Sequence, residues 1–189
     1  LENQKIIVHG DYDADGVCGA VILVSTIKAI GGTEVGVFLP HRETDGYGLN
    51  TKNVQFLADE KTRLIISCDC GVSNKKEVEL ANEQGIDVIV TDHHEVSQGL
   101  PPAYTVVNPK QKGEKYPFSG LAGAGVAFKL AQALRASVNH PSISEAWEKW
   151  LLDLVAFATA ADQMPLVGEN RALVKYGLMV FSKTRRRGL

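Results

Sequence analysis

The chain has 189 residues, a formal net charge of −2, 44% hydrophobic residues and 22% charged residues. Its length allows one sizeable hydrophobic core, its charge gives no overall basic signal for nucleic-acid binding, and its apolar runs are too short to span a bilayer. The cysteines Cys18, Cys68 and Cys70 lie inside apolar runs, as reduced buried cysteines do. We therefore expect a cytoplasmic protein without membrane contact.

The first two-thirds of the chain alternates patterns typical of strands and helices. The predicted strands are rich in Val and Ile, and they cover Lys5 to Val8, Glu34 to Leu39, Leu64 to Cys68, Val88 to Thr91 and Tyr104 to Val107. The predicted helices lie between them, from Gly16 to Ile30, from Thr51 to Asp59, and from Ser73, as N-cap, to Gln84. Such alternation indicates a parallel sheet covered on both faces.

From residue 121 the pattern becomes helical. Three further helices are predicted, from Leu121 to Val138, from about Ser144 to Ala161 and from Asn170 to Ser182. The expected fold is therefore α/β, with a parallel sheet of about five strands flanked by helices and a C-terminal helical segment. We expect one domain over residues 1–189, with an α/β core in 1–120 and a helical part in 121–189.

A cluster of ionisable side chains follows the first predicted strand and comprises His9, Asp11, Asp13 and Asp15. Two unit charges about 4 Å apart repel by roughly 4 kcal/mol at an effective dielectric constant of about 20. Such a cluster requires either raised carboxyl pKa values or bound cations. A divalent metal ion is the simpler explanation.

An EF-hand loop and a solvated acidic turn are two other interpretations of this cluster. An EF-hand loop that starts at Asp11 requires a glutamate at its twelfth position, where this chain has Ile22. A strand also precedes the cluster, whereas a helix precedes an EF-hand loop. The second interpretation is a solvated acidic turn in which Asp15 only caps the following helix.

Two more strands end in residues that bind metals. Asp69 follows the third predicted strand, and Asp92, His93, His94 and Glu95 follow the fourth. Because parallel strands place their carboxyl ends at one edge of the sheet, these side chains are expected to converge there. Carboxylates and imidazoles without paired thiolates suit Mn²⁺ or Mg²⁺. Two such ions form a centre for phosphoryl chemistry, so the sequence predicts a binuclear phosphoesterase.

Asp92-His93-His94 is the name-giving motif of the DHH phosphoesterase superfamily, and the chain resembles the RecJ branch of that superfamily. The motifs that carry the resemblance span nearly the whole chain: His9 to Gly16, Pro40-His41-Arg42, Gly46-Tyr47-Gly48, Asp69-Cys70-Gly71, Val90 to His94, Asn108-Pro109, Leu121 to Phe128, Ala161 to Leu166 and Glu169-Asn170-Arg171. The resemblance implies a 5′ to 3′ exonuclease that acts on single-stranded DNA in repair and recombination. It also implies that the chain is a fragment of a longer protein with further domains, and that replication or repair proteins are its partners.

Two other functions stay open on the same residues. One is hydrolysis of short oligonucleotides or pyrophosphate by another branch of the superfamily. The other is a non-catalytic replication scaffold that keeps the fold. An intact set of metal ligands argues against the scaffold, because a binding module has no need of every ligand.

The resemblance also implies a role for individual residues. Two divalent ions are expected, Mn²⁺ in preference to Mg²⁺, one held by His9, Asp13 and Asp69 and the other by Asp15, Asp69, His93 and Asp162. Asp69 bridges the two ions in this scheme, and Asp153 competes with Asp162 as the fourth carboxylate. Asp11 and Asp92 would orient ligands or water, and His94 would face the scissile phosphate as a donor or general acid.

Two pairs of residues are candidate phosphate contacts. Arg42, beside His41 in the loop after the second strand, can grip a phosphate with two hydrogen bonds, although a plain surface pair explains both residues equally well. Backbone N–H groups at Gly123 and Gly125 can cradle a phosphate at a helix start. Close packing of a helix on the sheet accounts for the same glycines about as well.

Overall fold

The computed structural model describes residues 4–97, 99–138 and 143–189. It contains a five-stranded sheet formed by β1 (Ile6–Gly10), β2 (Val35–Phe38), β3 (Leu64–Cys68), β4 (Asp87–Thr91) and β5 (Thr105–Val107). Every neighbouring pair of strands is parallel, and the strand order is β2-β1-β3-β4-β5. The predicted parallel α/β fold is confirmed.

Helices cover both faces of this sheet. They are α1 (Ala14–Ala29), α2 (Thr51–Asp59), α3 (Lys75–Glu83), α4 (Gly123–Ser137), α5 (Leu152–Ala161) and α6 (Gly168–Phe181). On one face, α1, α4, α5 and α6 share a buried apolar cluster with β1 and β3, and on the other face α2 and α3 pack on the sheet. The C-terminal helices therefore belong to the same core as the sheet. Within the described ranges, no helix has the length and apolar character needed to cross a membrane.

Helices α4 and α6 start two residues away from the predicted positions, and three other helix starts differ from the prediction for local reasons. Asp13, not Asp15, caps α1, because its Oδ1 accepts hydrogen bonds from the backbone N–H groups of Asp15 at 2.9 Å and Gly16 at 3.0 Å. The N-cap position of α3 is held by Asn74, one residue after the predicted Ser73. The helix predicted from Ser144 begins later because Ala146 has a left-handed backbone; residues 147–151 form a 3₁₀ turn and α5 follows.

Helices α5 and α6 approach each other closely at Gly177. A Cβ atom at this position would overlap the Leu152 carbonyl oxygen and the Ala156 side chain. The absence of a side chain thus sets the separation of the two helices. Since Asp162 is the C-cap residue of α5, this contact also helps to fix the place of its carboxylate.

We expect Gly177→Ala to destabilise the protein. Overpacking costs about 1–3 kcal/mol, which exceeds the gain of roughly 1 kcal/mol that alanine brings inside a helix. Urea unfolding measures the difference, with Lys175→Ala on the exposed side of α6 as a control that changes stability by no more than about 0.5 kcal/mol. A Gly177→Ala variant as stable as the unmutated protein would contradict the close approach.

Candidate metal centre

Asp69 and His93 face each other at the carboxyl end of the sheet. Asp69 follows β3, His93 lies two residues after β4, and Asp69 Oδ1 is 3.1 Å from His93 Nε2. Both atoms are buried and have no hydrogen-bond partner in the described part of the chain. Asp15 Oδ2 and Asp162 Oδ2 each lie 3.7 Å from the same His93 nitrogen. The sequence prediction placed these four side chains around one ion, and the structure brings them together.

The ring of His93 is held in one orientation by its other nitrogen. His93 Nδ1 lies 3.0 Å from the carbonyl oxygen of Leu121, so Nδ1 carries the proton and donates it to that oxygen. Nε2 faces the carboxylates of Asp69 and Asp15. These atoms need a proton or a cation between them, and a metal ion can bind the nitrogen and the carboxylate oxygens together.

Asp15 is held by the start of α4. Its Oδ2 accepts a hydrogen bond from Gly123 N at 2.6 Å, and its Oδ1 accepts one from Ala124 N at 2.7 Å. The prediction that the Gly123 N–H cradles a substrate phosphate is not supported, because this N–H is used by Asp15. A Cβ at Gly123 would also lie 2.6 Å from Asp69 Cβ. Gly125 is buried against Leu121, so both glycines serve close packing.

Asp69 has a left-handed backbone conformation, with φ of 60°. Aspartate tolerates this region better than most residues do, but the conformation still needs support from its surroundings. Asp69 N donates to the Thr91 carbonyl oxygen at 3.0 Å, and the Tyr47 hydroxyl donates to the Asp69 carbonyl oxygen at 2.9 Å. Sequence reasoning assigned no role to Tyr47; a tyrosine between two glycines was its only signal.

Burial raises the carboxyl pKa values at the centre. The pKa of Asp69 rises to about 10, first through burial and then through the nearby Asp15 and Asp13 carboxylates. Burial likewise raises the pKa of Asp15 to about 6, although the N–H groups at the start of α4 oppose the shift. Without a cation, the centre therefore retains protons that a metal ion would displace.

A second group of carboxylates adjoins the first. Asp11, Asp13 and Asp69 each offer an oxygen within 4.8 Å of the other two. His9 joins no such group among the described residues, but its Nε2 is buried without a partner and its ring stacks on Phe38. Burial lowers the pKa of His9 to about 4, so the imidazole stays neutral and can act as a ligand.

The structure separates Asp162 from its competitor Asp153. The side chain of Asp162 is 29% exposed and lies beside His93. Asp153 is buried elsewhere, where its Oδ2 accepts hydrogen bonds from Thr184 Oγ1 at 2.8 Å and Arg186 Nε at 3.1 Å. Its carboxylate already pairs with Arg186. Of the two candidates, Asp162 is therefore the one that lies with Asp13, Asp15 and Asp69.

His94 is oriented by Asp92. Asp92 Oδ1 accepts a hydrogen bond from His94 Nδ1 at 2.8 Å, and Asp92 Oδ2 accepts one from Val72 N at 2.9 Å. Burial opposes ionisation of Asp92, but these hydrogen bonds hold its pKa below the usual value. The bond to Asp92 raises the pKa of His94. The His94 side chain is 45% exposed, so it can meet a substrate while Asp92 holds it.

The loop after β2 brings a cation to the same edge of the sheet. The Arg42 guanidinium lies 5.4 Å from the centre of the Tyr12 ring, and Tyr12 stands between Asp11 and Asp13 in the chain. His41 is turned into its own loop: its ring Nδ1 accepts a hydrogen bond from Glu43 N at 3.3 Å, and its backbone N–H donates one to Asp45 Oδ2 at 2.8 Å. Arg42 is therefore the better placed of the two predicted phosphate contacts.

The donor set fits hard divalent cations. Carboxylate oxygens predominate, imidazole nitrogens accompany them, and the three cysteines of the chain lie outside both groups of ligand atoms. This chemistry suits Mn²⁺ or Mg²⁺ better than a thiolate-preferring metal. The buried atoms of Asp69 and His93 that lack a hydrogen-bond partner are the expected contacts of such an ion.

Asp69→Asn is expected to shift stability in opposite directions with and without metal. Asparagine keeps the left-handed backbone and is neutral without taking up a proton on folding, so the variant should be more stable than the unmutated protein in EDTA. It should also lose most of the rise in melting temperature that Mn²⁺ gives the unmutated protein. Thermal unfolding measures both effects, and the exposed Asp59→Asn serves as the control. An equal Mn²⁺ response in the variant would exclude Asp69 as a ligand.

In EDTA, stability should fall as the pH rises from 7 to 8. Asp69 keeps a proton in the folded state, where its pKa is about 10, whereas the unfolded chain has lost that proton. Asp69 alone then lowers the free energy of unfolding by at most about 1.4 kcal/mol per pH unit, and the raised pKa of His94 acts in the same direction. Below pH 7, the lowered pKa of His9 makes stability rise with pH, whereas the raised pKa of Asp15 makes it fall. The range from pH 7 to 8 therefore reports on Asp69 more clearly. In urea unfolding, the stability of Asp69→Asn should change less with pH than that of the unmutated protein. An equally steep change would show that Asp69 does not cause it.

Comparison with known proteins agrees with this geometry. The sequence is 40% identical over 188 residues to the single-stranded-DNA-specific exonuclease RecJ of Bacillus subtilis, which covers 100% of this chain and 23% of that protein. The RecJ exonuclease of Escherichia coli is 38% identical, with 94% of this chain and 32% of that protein covered. The chain thus spans 23% and 32% of the length of these two relatives.

Solved structures give the same result. A crystal structure of exonuclease RecJ bound to manganese matches with a TM-score of 0.82 and 41% identity, covering 94% of this chain and 44% of that chain. RecJ from Thermus thermophilus in complex with Mn²⁺ matches with a TM-score of 0.77 and 37% identity. The match covers 97% of this chain and 25% of that chain. The DHH family, N-terminal domain, matches residues 5–159. With its fold, its Asp92-His93-His94 motif and this match, the chain belongs to the DHH family.

Proposed function

We propose that this chain is the catalytic core of a metal-dependent 5′ to 3′ exonuclease that hydrolyses single-stranded DNA in repair and recombination. The observation that carries the proposal is the pair of buried ligand atoms, Asp69 Oδ1 and His93 Nε2, that lie 3.1 Å apart without a hydrogen-bond partner. The names of the similar relatives, and the manganese in two similar structures, support the same function.

In this proposal the centre takes two divalent ions, Mn²⁺ in preference to Mg²⁺. The ions share Asp69, and the complete ligand sets are Asp15, Asp69, His93 and Asp162 for one ion and His9, Asp13 and Asp69 for the other. When bound, the ions would activate water for attack on phosphorus and neutralise the charge that develops on the phosphate.

The remaining polar side chains bind and orient the substrate. Asp92 fixes His94 through Nδ1, so His94 presents Nε2 to the phosphate as a hydrogen-bond donor or general acid. Asp11 is buried, accepts a hydrogen bond from Gly48 N at 3.4 Å and lies beside the second group of ligands, where it can orient a water molecule. Arg42 is proposed to bind a backbone phosphate of the DNA through hydrogen bonds from its guanidinium group.

The other functions considered for the sequence make different demands on the protein. A hydrolase of short oligonucleotides or pyrophosphate would use the same centre, so substrate length distinguishes it from an exonuclease. A scaffold needs no ligand cluster, and the grouping of Asp15, His93 and Asp162 within 4.8 Å speaks against it. Single-stranded DNA is the proposed partner, together with repair proteins, and the three unpaired cysteines are consistent with the cytoplasm.

Hydrolysis of end-labelled single-stranded DNA tests this proposal. With Mn²⁺, the unmutated protein should release mononucleotides stepwise from a long strand, and EDTA should stop the reaction. Asp69→Asn should lower the rate by roughly 10³-fold or more, because several kcal/mol of transition-state stabilisation are lost with the shared ligand.

Parallel assays with a dinucleotide and with pyrophosphate separate the alternatives. Activity confined to either small substrate would assign the chain to another branch of the family and overturn the exonuclease proposal. A protein that binds Mn²⁺ but hydrolyses none of the three substrates would favour the scaffold.

His94→Gln distinguishes a substrate contact from a metal ligand. We expect kcat to fall by about 10²–10⁴-fold, the usual contribution of a general acid, while Mn²⁺ binding measured by calorimetry stays unchanged. His94 also offers a nitrogen within 4.8 Å of ligand atoms from Asp69 and His93. A variant that loses one bound Mn²⁺ would therefore show that His94 is a ligand.

A further inference from the structure

Asn170 lies in the first turn of α6 and is fully buried. Its Nδ2 donates one hydrogen bond to the Gly120 carbonyl oxygen at 2.6 Å and a second to the Pro165 carbonyl oxygen at 3.1 Å. These partners fix the orientation of the amide, since the opposite orientation would place its oxygen against two carbonyl oxygens. One side chain thus joins two segments of the chain through both of its N–H bonds.

Both segments carry residues of the metal centre. Gly120 precedes Leu121, whose carbonyl oxygen orients the ring of His93, and the same segment continues to Gly123, whose N–H holds Asp15. The second segment starts at Asp162, and Pro165 lies three residues further along. The Asn170 amide therefore connects two segments. One of them, around Gly120, orients His93 and Asp15, and the other carries Asp162.

Anchoring of α6 does not by itself explain an amide at this position. The neighbouring Glu169 already ties the start of α6 to the rest of the fold, through a 2.6 Å hydrogen bond from the Tyr116 hydroxyl and an ion pair with Lys129. Asn170 Oδ1, in contrast, is buried without a partner among the described residues. A buried acceptor without a partner lowers stability, so this amide is better explained by what its N–H bonds position.

We propose that Asn170 is a positioning residue for one ion of the centre. By joining the Gly120–Gly123 segment to the Asp162–Pro165 turn, it sets the affinity of the site made by Asp15, Asp69, His93 and Asp162. This inference rests on the proposed function, because it presupposes an ion at that site. Residues that orient metal ligands change affinity by about 10- to 100-fold when they are replaced.

Mn²⁺ titration of the folded protein tests the inference. Asn170→Asp keeps the shape of the side chain and removes both N–H donors, and Asn170→Ala is the second variant. Each should weaken one of the two Mn²⁺ sites by about 10- to 100-fold and leave the other unchanged. At a Mn²⁺ concentration that fills both sites of the unmutated protein, the electron paramagnetic resonance signal of a coupled ion pair should disappear from the variants. Raising the Mn²⁺ concentration should restore it.

Glu169→Gln is the matched control. It disturbs the other anchor in the same turn of α6, and it should leave both Mn²⁺ affinities unchanged. Unfolding in EDTA gives the folded fraction of each protein, so the affinities refer to folded molecules only. A purely structural residue would lower that fraction without changing the affinity of the molecules that remain folded.

The outcomes separate this inference from the proposed function. If the unmutated protein binds two Mn²⁺ ions and both Asn170 variants bind them equally well, the inference fails and the proposed function stands. The inference also fails if neither variant folds in EDTA, because Asn170 is then required for the fold itself. If the unmutated protein binds no Mn²⁺, both proposals fail together.

Discussion

The carboxylates of Asp15 and Asp69 approach the same nitrogen of His93, at 3.7 and 3.1 Å, in a buried part of the molecule. Burial opposes ionisation of both carboxylates, the Asp15 charge also opposes ionisation of Asp69, and the Asp162 charge opposes that of Asp15. A divalent cation at this point removes that cost. The need for positive charge at this point is the constraint that explains the surrounding geometry.

In the proposed site, each ligand comes from a different element of the fold. Parallel strands bring Asp69 and His93 to one edge of the sheet, the start of α4 holds Asp15, and the end of α5 supplies Asp162. Hydrogen bonds to backbone groups fix Asp15 and the ring of His93 before any ion binds, and a site that is organised in advance loses less entropy on binding. Close contacts at Gly123 and Gly177 keep α4 and α5 in the positions from which they hold Asp15 and supply Asp162.

The sheet and the ligand types were predictable from the sequence because both depend on local pattern. Val and Ile strands that end in carboxylates or histidines predict a parallel sheet with polar residues at one edge. The left-handed backbone of Asp69 and the assignment of the Gly123 N–H to Asp15 were not predictable, since each depends on contacts between distant segments. For the same reason Asp153 competed with Asp162 until its pairing with Arg186 was seen. The amide of Asn170 likewise gave no local signal.

The central claim is a two-ion centre that shares Asp69, and anomalous diffraction from crystals grown with Mn²⁺ tests it most directly. Data collected at the manganese absorption edge show where the ions lie without any assumption about activity. The account predicts two peaks about 3.5–4 Å apart with the Asp69 carboxylate between them. A single peak, or peaks away from Asp69 and His93, would contradict the account.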